Sequence, residues 1–200
     1  ILKQGVSVKL KVNVDYHERY GLKLIIEDLD SSFTFGQLEL QRQAILKAIS
    51  DRGLVRKNAQ TYLPPAVQRL AVISSGQAAG YKDFIKHIGD NFYGYDVRVD
   101  LFESAMQGQQ VEADILEGLR KIESTKNSYD AVAILRGGGA RTDLAAFDNL
   151  SLAVRIADFP IPVLIGIGHE SDQSVLDLVA YQSLKTPTAV ADFIIERNAG

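Results

Sequence analysis

The sequence predicts an α/β fold in which a mostly parallel sheet carries helices on both faces and follows a β-hairpin. From residue 70 onward, short apolar runs alternate with helix-like segments, which is typical of buried parallel strands and their crossovers. Residues 6–14 instead alternate apolar and polar side chains, which indicates a strand with one buried face. The 200 residues, 46% of them hydrophobic, suffice for a sizeable core.

Charge and composition narrow the classes of function. The net charge of −3 argues against a protein that binds nucleic acid through bulk positive charge, so phosphate binding has to be local. The chain has no cysteine, which excludes disulfides and thiolate metal sites. No apolar run is long enough to span a bilayer and no signal peptide is visible, so we expect a cytoplasmic protein.

The N-terminal third predicts a hairpin, a helix and a break. Two strands over residues 5–14 and 22–29 flank a turn, and a hairpin by itself is only marginally stable. It therefore packs on the following domain or belongs to a larger sheet. A helix is predicted over residues 36–51, ending at Gly53. The Tyr-Leu-Pro-Pro segment at residues 62–65 is the best candidate for a domain boundary.

The rest of the chain predicts strands that alternate with helices. Strands are expected at residues 70–73, 96–102, 131–135 and 162–167, and helices at residues 81–89, 111–121, 142–157 and 172–181. A last helix is expected from Ala189, with Thr188 as its N-cap. Right-handed crossovers bring the carboxyl ends of parallel strands to one edge, where open sheets bind ligands. The loops SSGQAAG, RGGGART and GHESD therefore predict one composite site.

The RGGGART loop is a candidate phosphate site. Gly137, Gly138 and Gly139 let backbone N–H groups approach an anion closely, and Arg136 adds a guanidinium suited to phosphate. A tight turn with a surface arginine explains the same residues equally well, because the pattern matches neither the Walker A nor the dinucleotide fingerprint.

The GHESD loop is a candidate for acid–base chemistry. Asp172 follows His169 by three residues and can hold its imidazole in one tautomer, as a general acid or base requires. The alternatives are a hard metal site completed by Asp83 or Asp143, and a histidine that caps the next helix. We favour a functional role, in acid–base chemistry or in a metal site, over the helix cap.

The SSGQAAG loop is a candidate anion-binding turn through Ser75 and its neighbours Ser74 and Gly76. Asp83 lies in the first part of the helix behind this loop. Its carboxylate is a candidate site residue, but a favourable interaction with the helix N-terminus explains it at least as well.

The ordered motifs RGGGxxxDLxxF, IPVxxxxGHExDxSxxDxVA and KTPTAVA resemble the catalytic region of the exonuclease VII large-subunit family. The segments IEDLD, GQLELQRQAI and VISSGQAAGYKDF are similar to that family as well. The resemblance implies that residues 1–30 are the last strands of an OB-fold that binds nucleic acid. Residues 31–65 would then be a helical linker, and residues 66–200 the α/β nuclease domain. In the family, a long helical region that binds a small subunit follows, so we expect this chain to be a piece of a longer protein.

The resemblance also implies an activity, namely hydrolysis of phosphodiester bonds of single-stranded DNA from either end to give oligonucleotides. The implied catalytic residues are Asp83, Arg136, His169 and Asp172. Ser75 and residues 137–139 would bind the substrate phosphate. Some family members resemble metal-free nucleases and others use Mg²⁺, for which Asp83 and Asp172 would be the ligands. The rival hypothesis is a non-catalytic nucleotide- or phosphate-binding module. We also expect residues 1–200 alone to have weak or no activity.

Overall fold

The computed structural model describes residues 8–125, 129–138, 141–167 and 174–200, apart from the side chains of residues 31, 32, 34, 35 and 141–143. The chain divides into two compact units, Ile1–Ala44 and Ile45–Gly200. The functional division into residues 1–30, 31–65 and 66–200 stays a prediction.

The first unit contains the predicted hairpin. Strands β1 (Lys9–His17) and β2 (Gly21–Asp30) pair antiparallel. Apolar side chains remain exposed on this hairpin, among them Val14 at 63% and Leu24 at 58%. The hairpin is confirmed, whereas its assignment to an OB-fold stays a prediction.

Helix α1 (Ser31–Asp51) begins five residues earlier than the sequence predicts. The reason lies in Asp30, because its carboxylate accepts a hydrogen bond of 3.2 Å from the backbone N–H of Phe33. A carboxylate that accepts from the first turn starts a helix directly after itself. The predicted start at Gly36 is therefore wrong.

The second unit is built on a five-stranded parallel sheet with the order β4-β3-β5-β6-β7. Its strands are β3 (Arg69–Ser74), β4 (Arg98–Glu103), β5 (Ala131–Leu135), β6 (Val163–Gly166) and β7 (Gln182–Ser183). The predicted parallel sheet is confirmed. The order is that of flavodoxin-like folds, in which the chain reverses its direction of travel between β3 and β5. The two-residue strand β7 is too short to leave a pattern in the sequence.

Helices cover both faces of this sheet, as the sequence predicts. Helices α2 (Ala79–Gly89) and α6 (Pro187–Ala199) pack on one face. Helices α3 (Val111–Ser124), α4 (Leu150–Ala157) and α5 (Val175–Val179) pack on the other. Alternate residues of β3 point to opposite faces, so both faces of the strand are fully buried.

Local capping shortens two of the predicted helices. The helix expected over residues 142–157 is divided into a 3₁₀ segment, Arg141–Phe147, and α4. Asn149 causes the division because its side chain accepts a 3.0 Å hydrogen bond from the Leu152 N–H and thereby caps α4. In the same way, Ser174 and Asp177 form a capping box that starts α5 after the predicted first residue.

The last helix begins at Pro187, and its N-cap is Thr186 rather than Thr188. The hydroxyl of Thr186 accepts from the Ala189 N–H at 3.1 Å. Proline has no N–H to leave unsatisfied and its fixed φ suits the first helical position. The prediction of Thr188 as the cap is therefore wrong.

The Tyr-Leu-Pro-Pro segment packs within the second unit. Leu63 and Val67 are buried, and Arg197 of α6 donates hydrogen bonds of 2.6 and 2.7 Å to the carbonyl oxygens of Leu63 and Pro64. The compact unit therefore includes this segment. No helix in the described part of the chain is both long and apolar enough to cross a membrane.

Candidate functional site

The loops that follow β3 and β5 lie side by side at the carboxyl edge of the sheet. Hydrogen bonds continue beyond the strand ends: the Arg136 N–H donates to the Gly166 carbonyl at 3.1 Å, and the Ser104 N–H donates to the Ser74 carbonyl at 2.9 Å. These two loops flank the point where the strand order reverses. Open α/β sheets bind ligands in the crevice at this point.

The loop after β5 combines a buried cation with an open backbone. Arg136 is only 6% exposed. Gly137 contacts Gly80, since an added Cβ on Gly137 would lie 2.9 Å from the Gly80 nitrogen. Gly138 is exposed, and an added Cβ there would meet no atom of the described residues within 4 Å. Of these two glycines, Gly138 is therefore the one whose backbone a ligand can approach.

The first turn of α2 lies against this loop. Its N-cap is Ala78, and no side chain in the described part of the chain caps the helix. The first N–H groups of a helix have no partners within the helix and carry partial positive charge, so they attract anions. Because Gly80 contacts Gly137, this positive end adjoins the glycine loop.

The loop after β3 is largely occupied by contacts within the protein. Ser74 is fully buried, and its hydroxyl donates to the Leu135 carbonyl at 2.8 Å. The Gly76 N–H donates to both carboxylate oxygens of Glu103 at 3.1 Å. Ser75 is half-buried between these two residues. An anion that binds this turn through the Gly76 N–H has to compete with the Glu103 carboxylate.

The sequence prediction missed Glu103 and Tyr81 as residues of this edge. Glu103 is the last residue of β4 and lies 27 positions after Gly76. Burial raises the pKa of the Tyr81 phenol above 10.0, and the negative charge of Glu103 raises it further. Tyr81 is therefore a neutral hydrogen-bond donor at neutral pH. An acidic residue that ends the second strand of a β-α-β unit was the available signal in the sequence.

Asp83 is exposed on α2, one turn after Gly80. Helix residues that are three positions apart lie on the same side of the helix. Asp83 is therefore on the same side of α2 as Gly80, which contacts Gly137. Its carboxylate forms no hydrogen bond or ion pair with another residue of the described chain.

The remaining predicted site residues, Gly139, His169 and Asp172, lie outside the described residues. The described part of β6 ends at Gly166, beside Leu135 of β5. Within the described residues, no three His, Asp or Glu side chains are grouped so that they could hold a metal ion. The described edge thus brings together Ser75, Arg136 and Gly138, with Asp83 one helical turn away.

Comparison with known proteins gives a consistent result. The family model described as "Exonuclease VII, large subunit" matches residues 54–199. Proteins named "Exodeoxyribonuclease 7 large subunit" are similar over most of this chain. The protein of Deinococcus radiodurans is 31% identical over 197 residues, which are 97% of this chain and 47% of that protein. The protein of Pseudomonas putida is 30% identical over 199 residues, 100% of this chain and 42% of that protein. The protein of Cyanothece sp. is 35% identical over 161 residues, 80% of this chain and 37% of that protein. The chain spans less than half the length of these relatives.

Proposed function

The chain belongs to the exonuclease VII large-subunit family, and from this premise we propose that it hydrolyses phosphodiester bonds of single-stranded DNA. In this proposal cleavage proceeds from either end and releases oligonucleotides. The whole protein acts with a small subunit, which binds a helical region beyond residues 1–200, and it works in the cytoplasm.

The observation that carries the proposal is the arrangement at the end of β5. Arg136 is buried, and it adjoins Gly138 and the N-terminus of α2. Among the described residues, no atom lies within 4 Å of a Cβ added to Gly138 and no side chain caps the helix. Negative charge builds up on the phosphoryl oxygens during phosphodiester hydrolysis. Fixed N–H donors and a guanidinium stabilise that charge without having to reorganise. This supports assigning Arg136 and the glycine backbone to the scissile phosphate.

The proposal assigns the proton transfers to residues of the GHESD loop. His169 acts as the general base or acid, Asp172 orients its imidazole, and Asp83 positions water or substrate. The exposed carboxylate of Asp83, free of partners within the described chain, supports this role because it is accessible to ligands.

The alternative to hydrolysis without a metal is a site that holds Mg²⁺. This ion prefers oxygen ligands and is commonly held by one or two carboxylates together with substrate phosphates. Asp83 and Asp172 would be its protein ligands. Asp83 offers an exposed carboxylate for this purpose, and a bound Mg²⁺ would supply charge stabilisation at the phosphate.

The test is cleavage of end-labelled single-stranded DNA by the full-length large subunit assembled with its small subunit, with and without EDTA. We expect Arg136→Ala to lower the single-turnover rate by about 10²- to 10³-fold, the usual effect of losing one charge-stabilising group. We expect His169→Ala to lower it by about 10²- to 10⁴-fold. Arg120→Ala is the matched control, because Arg120 is an exposed arginine on α3 whose ion pair with Glu117 lies on the surface.

The outcomes separate the alternatives. Cleavage that survives EDTA but is lost in His169→Ala supports hydrolysis without a metal, and cleavage lost in EDTA assigns Asp83 and Asp172 to a metal. A fall of less than about tenfold in His169→Ala removes the acid–base role. DNA binding without cleavage in either buffer replaces the proposal with a non-catalytic binding module.

A further inference from the structure

Three aromatic side chains form a cluster between α2 and β4, at the edge of the sheet opposite the candidate site. Phe92 is 96% exposed and Tyr93 is 57% exposed. The ring of Tyr93 stacks on that of Tyr95, with centroids 5.5 Å apart and an angle of 24° between the planes. Phe92 meets Tyr93 edge-on, with centroids 5.7 Å apart. Because the first two rings are largely exposed, they bury little apolar area within the folded unit. We call residues 91–95 the aromatic turn.

The aromatic turn is held in place by Asn91. Its side-chain amide donates to the carbonyl oxygens of Ile88 and Tyr95 at 2.9 and 2.8 Å. Its side-chain oxygen accepts from the Tyr95 N–H at 2.9 Å. Gly94 closes the turn, since its N–H donates to the Asn91 carbonyl at 3.2 Å and its φ of +69° suits glycine. The exposed rings are therefore presented on a preorganised turn, which lowers the entropy lost when a partner binds.

Two lysines lie on α2, between the candidate site and the aromatic turn. Lys82 and Lys86 are exposed and four positions apart, so they share one side of the helix. In the described part of the chain, neither ammonium group forms a hydrogen bond or an ion pair with another residue. The helix dipole does not favour a cation near the amino end of α2, where Lys82 lies. Both ammonium groups are thus available to an anionic partner.

This combination matches the chemistry of binding to single-stranded nucleic acid. Proteins that bind single strands combine cations that follow the phosphates with aromatic rings on which the bases stack. The 11 residues of α2 give it a length of about 16 Å, which several nucleotides span. A strand with one phosphate at Arg136 and Gly138 would therefore place a base several nucleotides away at the aromatic turn.

This separation is compatible with the release of oligonucleotides, because several nucleotides lie between the aromatic turn and the cleaved bond. Stacking needs only the flat face of a base, which a strand offers whichever way it runs. The aromatic turn is therefore compatible with cleavage from either end as well.

We propose that the aromatic turn is a base-stacking site for single-stranded DNA. Phe92 and Tyr93 receive the bases, and Lys82 and Lys86 contact the phosphates between the turn and the candidate site. This inference rests on the proposed nuclease function and adds a second binding site for the same strand, away from the bond that is cleaved.

The test measures binding of single strands by the full-length large subunit assembled with its small subunit. Two strands of equal length carry a 5′ fluorophore and a phosphorothioate backbone that resists cleavage. One strand has thymine at every position and the other is abasic, so both offer phosphates but only the first offers bases. Fluorescence anisotropy gives their Kd values. We expect Phe92→Ala to raise the Kd of the thymine strand by about tenfold, as for the loss of one stacked base, and to leave that of the abasic strand within about twofold.

Three further variants separate stacking from other effects. Phe92→Trp keeps a flat ring and should bind the thymine strand within about threefold of wild type. Tyr62→Ala is the matched control, because Tyr62 is 77% exposed and precedes β3 instead of lying in the aromatic turn, so neither Kd should change. Lys82→Gln should weaken both strands by a similar factor and lower the slope of log Kd against log salt concentration by about 1.

An unchanged Kd for the thymine strand in Phe92→Ala overturns the inference. An equal loss for the abasic strand also overturns it, because the bases would then not be involved. Loss of assembly with the small subunit in Phe92→Ala, measured by analytical ultracentrifugation, would overturn it too, since the turn would then be a protein interface. Failure of the proposed nuclease function is a separate result, because it appears as absence of cleavage of ordinary strands while the effect of Phe92→Ala on the thymine strand remains.

Discussion

The loops after β3 and β5 look alike in sequence but differ in the contacts that they make within the protein. Both follow a buried parallel strand and consist mainly of small residues. The loop after β3 is filled by contacts within the protein, from Ser74 to Leu135 and from Gly76 to Glu103. In the loop after β5, an added Cβ on Gly138 would meet no atom of the described residues within 4 Å. Small residues at a strand end therefore allow close packing in one loop and the approach of a ligand to the backbone in the other.

The same contrast separates adjacent glycines. Gly137 lies against the backbone of Gly80, while no described atom lies within 4 Å of a Cβ added to Gly138. A run of glycines identifies a place where side chains are absent, but it does not distinguish glycines required by packing from those available to a ligand.

Gly80→Ala should have the largest effect. An added Cβ would lie 2.6 Å from the Gly137 Cα, and backbone atoms cannot move aside as a flexible side chain can. We expect the free energy of unfolding, measured by urea denaturation of the full-length protein, to fall by about 3 kcal/mol. Gly138→Ala is the matched control and should stay within about 0.5 kcal/mol of wild type. Equal losses in the two variants would contradict the division between packing and open glycines.

Gly138→Val should have the next largest effect, and it should affect activity. The Cβ of a branched side chain there meets no atom of the described residues, but the side chain blocks the approach of a phosphate to the backbone. We expect the single-turnover cleavage rate of the assembled enzyme to fall by about tenfold or more, because small misplacements of substrate have large kinetic effects. A rate equal to that of wild type would show that the phosphate does not approach Gly138.

Ser74→Ala tests the internal contacts of the loop after β3. The change leaves the buried Leu135 carbonyl without the hydroxyl donor that lies 2.8 Å away. We expect a loss of about 1 kcal/mol in the free energy of unfolding. Ser75→Ala should have no measurable effect on stability, since Ser75 is half-buried and its side chain makes no hydrogen bond with the described residues. A larger loss in Ser75→Ala than in Ser74→Ala would reverse the assignment.

The smallest effect concerns the titration of Tyr81. Burial is the largest cause of its raised pKa, and the charge of Glu103 raises it further. The protonated phenol therefore contributes stability that is fully present below pH 10.0 and is lost as pH rises through the folded-state pKa. Glu103→Gln should move this pKa back towards 10.0 without reaching it, because burial remains. Difference absorbance titration against Tyr81→Phe measures the shift. An unchanged pKa in Glu103→Gln would mean that the charge of Glu103 does not reach the phenol.

Much of the fold follows from sequence patterns, because each pattern is local. Continuous apolar runs predicted the parallel strands because such strands are buried on both faces, and alternation predicted the hairpin because it has the two-residue period of a strand. Helix ends were predicted less well. Asn149 and Thr186 start helices through hydrogen bonds from side chain to backbone, and several polar residues nearby could equally have formed them.

The candidate site was predictable in part. The order of strands and loops was enough to place Ser75, Arg136 and Gly138 at one edge, since parallel strands with right-handed crossovers have that edge in common. Glu103 was missed because its hydrogen bond with Gly76 spans 27 residues, a distance over which no periodic pattern operates.

By itself, therefore, the sequence determined the α/β class, the family and the loops that carry the candidate site. Burial periodicity and ordered motifs are properties of the sequence, so they can be recognised without knowledge of any long-range contact. Only the tertiary structure decided which glycine is packed and which is open, and which carboxylate occupies the loop after β3. These properties depend on atoms brought together from distant parts of the chain, where a difference of less than 1 Å between backbones separates a close contact from a clash.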